Sequence, residues 1–430
     1  MRVLHVMSYY EPAYDFGGDV RTVSQTCSAL AGLGVDVTVF TTNAAPEGRL
    51  DVQLCEPQRR NGVTVTYYPV TWRGWPFGRF YYSWKLSQAC ARQIHEFDVA
   101  HFSSTLWADT AVVGSRGCLR AMVPYVVSPH GILEPWHYTH KGWKKRLHMM
   151  LCGQRVLRRA SAIHAVCLTE ARRLERLGLE GKVTCIPPGI DLAEFADLPS
   201  RAEAEECWPV LRGRRVVLFL SRLHYKKGLD QLVPAFAEVR KHCGDAILVL
   251  AGPDDGYLRA VRDLIDTHGI RKDVVLTGML TGRERLLAFA AADIFVLPSY
   301  AEGLPRVLIE AMACRLPLLI TPGCNFPEVA ELDAGLIVEP TASELAGGLK
   351  HLLGLDADER EAIGVRGRAL VESGYTWDVV ARKMITVYEC AVHGNAIPLH
   401  PEAQDNRPGD RVGRARGSGL GRMRRGAALQ

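Results

Sequence analysis

The sequence of 430 residues has little excess charge of either sign and no long apolar run. Fifty-two Lys and Arg against 47 Asp and Glu leave a formal charge of only +5, so nucleic-acid binding is not expected. No apolar run approaches the roughly 18 residues that a membrane-spanning helix needs, and the segment Arg2–Ser8 is too short for a signal peptide. We therefore expect a soluble or at most peripheral protein.

Paired cysteine motifs are also missing. The 12 cysteines are scattered, with no Cys-x-x-Cys pair and no zinc-like spacing with histidine. Scattered thiols are typical of a reducing compartment. The expected location is the cytoplasm, and peripheral attachment to the inner face of the plasma membrane is the alternative.

Short apolar runs rich in Val, Ile and Leu alternate with segments of helical period along most of the chain. Strands buried on both faces and separated by helices indicate parallel sheets with right-handed crossovers. The predicted strands are Val3–Met7, Val35–Thr41, Val63–Tyr68, Val99–Phe102, Tyr125–Val127, Ala162–Val166, Val183–Ile186, Val216–Leu220, Ala246–Leu250, Val274–Thr277, Ile294–Leu297 and Pro317–Ile320. The predicted helices include Val20–Leu33, Ser83–Glu96, Thr169–Leu177, Leu229–Lys241 and Arg283–Ala290.

The alternation lapses between Asp191 and Arg215, a stretch without a strand-like run. We place a linker there, at 191–215, and predict an α/β fold of two doubly wound, Rossmann-like domains at 1–190 and 216–375. Ligand loops of such domains follow the carboxyl ends of the strands. Two such edges facing each other form a cleft, where we expect the chemistry.

Two carboxylates eight residues apart, Glu302 and Glu310, follow the predicted strand Ile294–Leu297. The helix that begins between them offers unpaired N–H groups and a dipole to an anion, and Gly303 lets the backbone approach a ligand closely. A loop Glu302 and a helical Glu310 can address different parts of one elongated ligand. The alternative is two solvated acids, but the apolar Ala-Met-Ala after Glu310 favours an inward-facing side chain.

Two cations follow the predicted strand Val216–Leu220. Arg222 and Lys227 are five residues apart and can converge on one phosphate, Arg through its planar fork and Lys as a point charge. Surface Arg and Lys side chains are usually solvated, so the two cations alone indicate a phosphate site only weakly. Their occurrence together with the Glu302 segment makes the indication strong.

Further motifs accompany these charges, namely Gly17-Gly18 after the first strand, Ile186–Asp191 and Tyr375–Asp378. Together they resemble the family 4 retaining glycosyltransferases with the GT-B fold, in which two Rossmann-like domains face each other across a cleft. The resemblance runs from Met1 to about Cys390 and implies a C-terminal crossover helix, at 376–392, that returns to the first domain.

The resemblance implies a retaining, hexosyltransferase-type enzyme. It would move a sugar from a UDP- or GDP-linked nucleotide sugar to a hydroxyl of a lipid-linked or oligosaccharide acceptor. The segment Ser128–Trp136 is similar to a subgroup associated with bacterial cell-surface polysaccharide assembly. No Asp-x-Asp run stands at a strand end, since Asp254 and Asp255 are adjacent, so we expect no required metal or other cofactor.

The family's roles carry over by position. Arg222 and Lys227 would neutralise the diphosphate, Glu302 would lie by the transferred sugar and Glu310 would hold the ribose hydroxyls. The backbone at Gly303 and Leu304 would add amide contacts to the donor. His130 would contact the donor sugar, and the turn at Gly17 and Gly18 would close over the phosphates. This chain departs from the family pattern at Pro188, Pro305 and Arg315, where Asn, Gly and Gly are common.

Histidine roles have alternatives. His130 lies between Pro129 and Gly131, which favours an exposed loop tip, and its interpretations are donor contact, structural hydrogen bonding or, least favoured, general base. His101, inside a predicted strand, is expected in the core.

The segment from Pro135 to Thr169 has no acidic residue in 35 positions. On a helical wheel over 141–159 an apolar arc lies opposite a basic one. The apolar arc comprises Trp143, Leu147, Met150, Leu151 and Leu157. The basic arc comprises Lys144, Lys145, His148, Arg155 and Arg159. The helix either packs on the first domain or holds its basic face against anionic lipids. The tail, 393–430, is Arg-rich and predicted to be disordered, with attachment to an anionic surface as the alternative.

Two other function classes stay open. One is a different reaction on the same scaffold, sugar-nucleotide epimerisation or phosphorolysis. The other is a non-catalytic scaffold, which would not need Arg222, Lys227, Glu302 and Glu310 together.

Overall fold

The computed structural model describes residues 1–16, 18–46, 48–73, 81–103, 109–130 and 152–401. In chain order its strands are β1 (Arg2–Val6), β2 (Asp36–Thr42), β3 (Pro57–Arg60), β4 (Val63–Tyr68), β5 (Trp72–Arg73), β6 (Tyr81–Tyr82), β7 (Val99–Ser103), β8 (Tyr125–Ser128), β9 (Ala162–Ala165), β10 (Val183–Cys185), β11 (Arg215–Leu220), β12 (Ala246–Ala251), β13 (Val274–Gly278), β14 (Ile294–Leu297), β15 (Leu318–Ile320) and β16 (Gly335–Ile337).

The helices that the structure describes are α1 (Gly18–Gly32), α2 (Trp84–Gln93), α3 (Asp109–Ala121), α4 (Gln154–Arg159), α5 (Leu168–Leu174), α6 (Arg201–Cys207), α7 (Leu229–Arg240), α8 (Leu258–Thr267), α9 (Gly282–Ala291), α10 (Arg306–Ala313), α11 (Glu328–Glu331), α12 (Ala342–Gly354), α13 (Ala357–Gly374) and α14 (Trp377–His393).

Two sheets organise these elements. The larger has eight strands in the order β10-β9-β8-β7-β1-β2-β4-β3, and the smaller has six in the order β13-β12-β11-β14-β15-β16. Within these two sheets neighbouring strands are parallel except for β3, which is antiparallel to β4. Strands β5 and β6 form a separate antiparallel pair. We call the larger sheet and its helices the first lobe and the smaller sheet and its helices the second lobe. The expected fold class, two doubly wound parallel sheets, is confirmed.

Every predicted strand is present, with ends within one or two residues of those expected. Two strands of the main sheets were not predicted. Strand β3 has the sequence Pro-Gln-Arg-Arg and lies at the sheet edge, where backbone pairing with β4 suffices without an apolar face. Strand β16 has only three residues, too few for a periodic pattern.

The stretch predicted as a linker contains no strand before β11 begins at Arg215, and its apolar residues pack on the second lobe. Phe195, Ala204 and Leu211 are buried in the core around β11 and β12. Helix α6 begins with a capping box, in which Ser200 and Glu203 satisfy each other's backbone N–H groups.

The C-terminal helix α14 returns to the first lobe. Val380, Met384 and Val387 are buried among side chains of β1, β2 and α1. Beyond the helix, the backbone N–H of Cys185 donates to the carbonyl of Leu399 over 2.6 Å, and the Leu399 side chain packs on the first-lobe core. The first residues of the predicted tail are therefore packed, whereas 402–430 lie outside the described residues.

Buried histidines connect the strands beneath α14. The carbonyl of Ile186 can only accept, so Nε2 of His164, 2.8 Å away, donates to it. Nδ1 of His164 then accepts from the Ser128 hydroxyl over 2.7 Å, and the Ser128 oxygen accepts from Nε2 of His101 over 2.6 Å. His101 is 2% exposed, which confirms its expected place in the core.

Tyr388 of α14 continues this chain of hydrogen bonds. Because Nε2 of His101 carries the proton, its Nδ1 accepts from the Tyr388 hydroxyl over 2.7 Å. The Tyr388 oxygen in turn accepts from Nε2 of His5 over 3.0 Å. Nδ1 of His5 is buried and has no hydrogen-bond partner in the described part of the chain. These hydrogen bonds, which all follow from the acceptor at Ile186, tie α14 to β1, β7, β8 and β9. The donors and acceptors assigned here require neutral histidines.

The hydrogen bonds between these buried histidines and Tyr388 predict that acid destabilises the protein. Burial lowers the pKa of His5 to about 3 and that of His164 to about 4, and it lowers the pKa of His101 well below its usual value. The unfolded chain therefore binds protons below about pH 6.5 that the folded chain does not. The free energy of unfolding should fall by about 1.4 kcal/mol per pH unit for each of these histidines.

Urea unfolding at pH 7.5, 6.5 and 5.5 measures this dependence. These pH values lie above the range in which protonation of carboxylates dominates the pH dependence of unfolding. Exposed His95 provides the matched control, since His95→Gln should keep the same pH dependence. A midpoint that stays constant from pH 6.5 to 5.5 would show that the histidines are not held neutral.

Candidate functional site

The two cations and the loop carboxylate follow adjacent strands. Strand β11 lies between β12 and β14, so the strand order of the second lobe reverses there. Ligands of doubly wound sheets bind outside the carboxyl ends of the strands at such a reversal. Arg222 and Lys227 follow β11, and Glu302 follows β14. The topology therefore puts these predicted residues at the expected crevice.

Gly228 brings the two loops together. Its φ is +70°, and a Cβ there would lie 2.0 Å from the carbonyl oxygen of Pro298. Glycine adopts this left-handed conformation without strain, and only a residue without a Cβ permits this approach, so α7 begins against the end of β14. As a result Lys227 Nζ forms an ion pair with Glu302 Oε1.

The Lys227–Glu302 pair is largely shielded from solvent. The Lys227 side chain is 11% exposed and that of Glu302 is 17% exposed. An ammonium has three donor hydrogens, so Lys227 keeps donors for a second anion while it holds Glu302. The pair therefore holds the Lys227 ammonium in a fixed position at the switch point.

Arg222 has a different partner. Its guanidinium donates to Asp255 over 2.6 Å, and its side chain is 66% exposed. The structure therefore does not join Arg222 to the Lys227–Glu302 pair. Neighbouring Asp254 accepts three backbone N–H bonds at the start of α8, which lower its pKa and give it a structural role.

Glu310 lies inside the second lobe, as its apolar neighbours indicated. It is 5% exposed, and both of its ion pairs engage Oε1, with Nη1 of Arg285 at 3.0 Å and with Nε of Arg306 at 3.2 Å. Burial raises the pKa of Glu310, and the two guanidinium groups oppose that shift. Because Oε1 holds both arginines, Oε2 is the oxygen available to a ligand.

Sequence reasoning missed both arginines. Arg306 stands four residues before Glu310, the spacing of a helical ion pair, and could have been found by that signal. Arg285 is 25 residues away on α9 and had no such signal. Its other contacts, Glu194 Oε2 at 3.1 Å and the Phe195 ring with its centroid 5.8 Å away, tie the predicted linker to Glu310.

The N-terminus of α10 is open. Its N-cap residue is Pro305, and no side chain among the described residues caps its first N–H groups. In the part of the chain that the structure describes, no atom lies within 4 Å of where a Cβ on Gly303 would stand. Free N–H groups and the helix dipole make this end suited to an anion.

A cavity of about 310 Å³ separates the lobes at this point. It brings together four predicted site residues, Gly18 and His130 of the first lobe with Gly303 and Leu304 of the second. The cavity is also lined by Asp19, Thr22, Val166, Cys167, Glu170, Pro188 and Arg306. Gly17 lies outside the described residues.

His130 stands at the cavity in a strained backbone conformation. Its φ is +51°, and its ring centroid lies 6.3 Å from that of His164. A non-glycine residue in this region is uncommon and is found disproportionately at functional sites. Arg315, one of the departures from the family pattern, likewise has a φ of +59°, which explains why glycine is common there.

The basic segment is described only from Cys152 onward. In α4 the side chains of Val156 and Leu157 are buried, whereas Arg155, Arg158 and Arg159 are exposed. The remaining residues of the predicted arcs, 141–151, lie outside the described residues. Within the described ranges no helix combines the length and apolarity needed to cross a bilayer.

Comparison with known proteins agrees with this architecture. The family model "Glycosyl transferase 4-like domain" matches residues 17–189, and "Glycosyl transferases group 1" matches residues 202–370. The GDP-mannose-dependent alpha-(1-6)-phosphatidylinositol monomannoside mannosyltransferase of Mycobacterium tuberculosis is 29% identical over 312 residues, 68% of this chain and 76% of that protein. The D-inositol 3-phosphate glycosyltransferase of Kineococcus radiotolerans is 27% identical over 409 residues, 89% of this chain and 92% of that protein.

A solved structure supports the same fold. The structure of Anabaena HepE in complex with UDP and glucose superimposes with a TM-score of 0.67 at 19% identity, covering 90% of this chain and 99% of HepE. The two family models match in the order of the two lobes and together span most of the chain. The chain is therefore a glycosyltransferase of the family 4 type with the GT-B fold.

Proposed function

We propose that this glycosyltransferase transfers a hexosyl group from a UDP- or GDP-linked sugar to a hydroxyl of a lipid-linked or oligosaccharide acceptor, with retention of configuration and without a metal. The product would be part of a bacterial surface polysaccharide. The observation that carries the proposal is the shielded Lys227–Glu302 pair at the switch point of the second lobe.

The leaving group explains why such charges are needed. A nucleoside diphosphate accumulates negative charge as the bond to the sugar breaks, and fixed donors in a water-poor cleft stabilise that charge. Lys227 would supply a cation, and the open end of α10 at Gly303 and Leu304 would supply N–H groups. Arg222 would join them by leaving Asp255, which its exposure permits.

The carboxylates would hold the two ends of the donor. Glu310 would accept from the ribose hydroxyls through Oε2, while Arg285 and Arg306 hold Oε1. Glu302 would contact the transferred sugar, and His130 and Gly18, which line the cavity, would approach from the first lobe. Gly17 keeps the role that the resemblance implies, closure of its turn over the phosphates. Retention follows if the acceptor hydroxyl attacks on the face that the nucleotide leaves and the departing phosphate oxygen takes its proton.

The relatives support the substrate classes. The named activity of the Mycobacterium tuberculosis protein uses GDP-mannose and a phosphatidylinositol mannoside, and the HepE structure contains UDP and glucose. The resemblance of the 128–136 segment supports surface polysaccharide as the product.

Release of nucleoside diphosphate tests the proposal. Purified protein is incubated with UDP- and GDP-linked sugars without acceptor, and the released diphosphate is measured. Slow release is expected from one donor. In a second incubation that includes a hydroxyl acceptor, nuclear magnetic resonance of the transfer product should show the donor's anomeric configuration. An epimerase would instead return a changed nucleotide sugar, a phosphorylase would require inorganic phosphate, and a scaffold would release nothing.

We further propose that the enzyme attaches to an anionic membrane surface through the 141–159 segment or the basic tail. Each Lys or Arg near such a surface contributes about 1 kcal/mol. Vesicle sedimentation compares a chain that ends at Pro401, which keeps Leu399 packed, with a full chain carrying Gln at Lys144, Lys145, Arg155 and Arg159. Loss of binding in the first assigns attachment to the tail, loss in the second assigns it to the segment, and a wild type that ignores anionic lipid would contradict both.

A further inference from the structure

A turn behind the Glu302 loop holds its backbone in place. The N–H of Glu302 donates to the carbonyl of Gly323 over 2.8 Å. On the other side, Nδ2 of Asn325 donates to the carbonyls of Glu302 at 2.5 Å and of Gly303 at 3.3 Å. The turn therefore fixes the peptide units that carry the loop carboxylate and the start of the anion site.

The backbone of Asn325 suits this task. Its φ is +54°, in the left-handed region, where Asn and Gly are tolerated. It follows the 3-10 turn Pro322–Cys324, and its N–H donates to the carbonyl of Pro322. The short side chain is thereby aimed back at the Glu302 loop.

The same side chain also reaches the first lobe. Because Nδ2 serves the two carbonyls, the other amide atom of Asn325 is the acceptor Oδ1. It lies 2.5 Å from Oγ1 of Thr169, which therefore donates. Thr169 belongs to α5, next to Val166 and Cys167, which line the cavity between the lobes.

We propose that Thr169 and Asn325 form a latch across the cleft, which sets the position of the Glu302–Gly303 loop only when the lobes are together. Asn325 is a positioning residue that acts through the carbonyls of Glu302 and Gly303. Catalytic groups must be held within fractions of an ångström to be effective. The latch rests on the proposed function. It makes the position of the loop that carries Glu302, the partner of the Lys227 cation, depend on the approach of the two lobes.

The first test removes only the hydroxyl that bridges the lobes. Thr169 is half-buried, and Thr169→Val keeps its shape. Turnover should fall about three- to tenfold, the effect of one hydrogen bond. Affinity for nucleoside diphosphate and the melting temperature without ligand should stay unchanged, and the matched Thr169→Ser variant should restore turnover.

The second test uses a double-mutant cycle. Asn325→Gly keeps a residue that tolerates the positive φ and removes all three side-chain hydrogen bonds, so its turnover should fall further than that of Thr169→Val. Because Thr169 acts through Asn325, adding Thr169→Val to Asn325→Gly should cause no additional loss.

The outcomes separate the latch from the proposed function. If the wild type is active and the Thr169→Val variant is equally active, the latch is overturned but the proposed function is not. Additive losses in the double variant, or equal losses in the Ser and Val variants, also overturn it. Wild-type protein that releases no diphosphate from any donor overturns the proposed function and the latch with it.

Discussion

Replacing Lys227 by alanine should lower turnover by two to three orders of magnitude. Loss of one preorganised donor to a developing negative charge costs about 2.7 to 4 kcal/mol of transition-state stabilisation. The substitution also leaves the Glu302 carboxylate without its cation in a shielded position. Turnover of donor hydrolysis and of transfer measures the effect.

Lys241 provides the matched control for this prediction. It also forms an ion pair, with Glu238 at 2.7 Å, but its side chain is 70% exposed and it follows the last residue of α7. Lys241→Ala should leave turnover within twofold of wild type. Lys227→Met with Glu302→Gln, which removes both charges, should fold stably and still be inactive, so that lost activity is not mistaken for lost stability.

Arg222 tests the other predicted cation. If its guanidinium moves to the diphosphate, Arg222→Ala should slow turnover by a similar factor, whereas Asp255→Asn, which removes its present partner, should not slow it. Near wild-type turnover of Arg222→Ala would remove Arg222 from the mechanism.

The two carboxylates should separate binding from transfer. Glu310→Gln should weaken nucleoside diphosphate binding by about 1.5 to 3 kcal/mol, roughly 10- to 150-fold, because a charged acceptor to the ribose hydroxyls is lost. Glu302→Gln should mainly slow transfer. Calorimetry of diphosphate binding, together with turnover, distinguishes the two.

Glu194 supplies a control for the Glu310 variant. Glu194→Gln removes the other carboxylate on Arg285 and leaves Glu310 in place. It should therefore keep diphosphate affinity. Equal loss of affinity in the Glu302 and Glu310 variants would contradict the division of roles.

The sequence was informative where one local pattern decides the structure. Short apolar runs such as Ile294–Leu297, bounded by turn residues, favour buried strands, and the strand order then places the loops at one edge. The burial of Glu310 followed from its Ala-Met-Ala neighbours for the same reason. These features need no knowledge of distant partners.

The parts that sequence reasoning missed depend on pairing between distant residues. Asp255 lies 33 residues from Arg222, Asn325 lies 156 residues from Thr169, and Tyr388 lies 287 residues from His101. Each contact is set by how helices and loops pack on the sheets, and composition and spacing carry no signal for it. Arg222 and Lys227 show this limit, because a shared loop does not fix which partner each side chain meets. Their convergence on a phosphate stays a prediction.

Binding of nucleoside diphosphates tests the donor site most directly. Thermal unfolding of the wild type and of Glu310→Gln is followed with UDP, GDP and ADP, and with the corresponding nucleosides as controls that lack phosphate. One diphosphate should stabilise the wild type, by roughly 2.7 kcal/mol at 100 times its dissociation constant. The nucleosides should do little, and the Glu310 variant should need at least tenfold more ligand. If none of the three diphosphates stabilises the wild type, the Lys227–Glu302 pair and Glu310 do not form a nucleotide-sugar site.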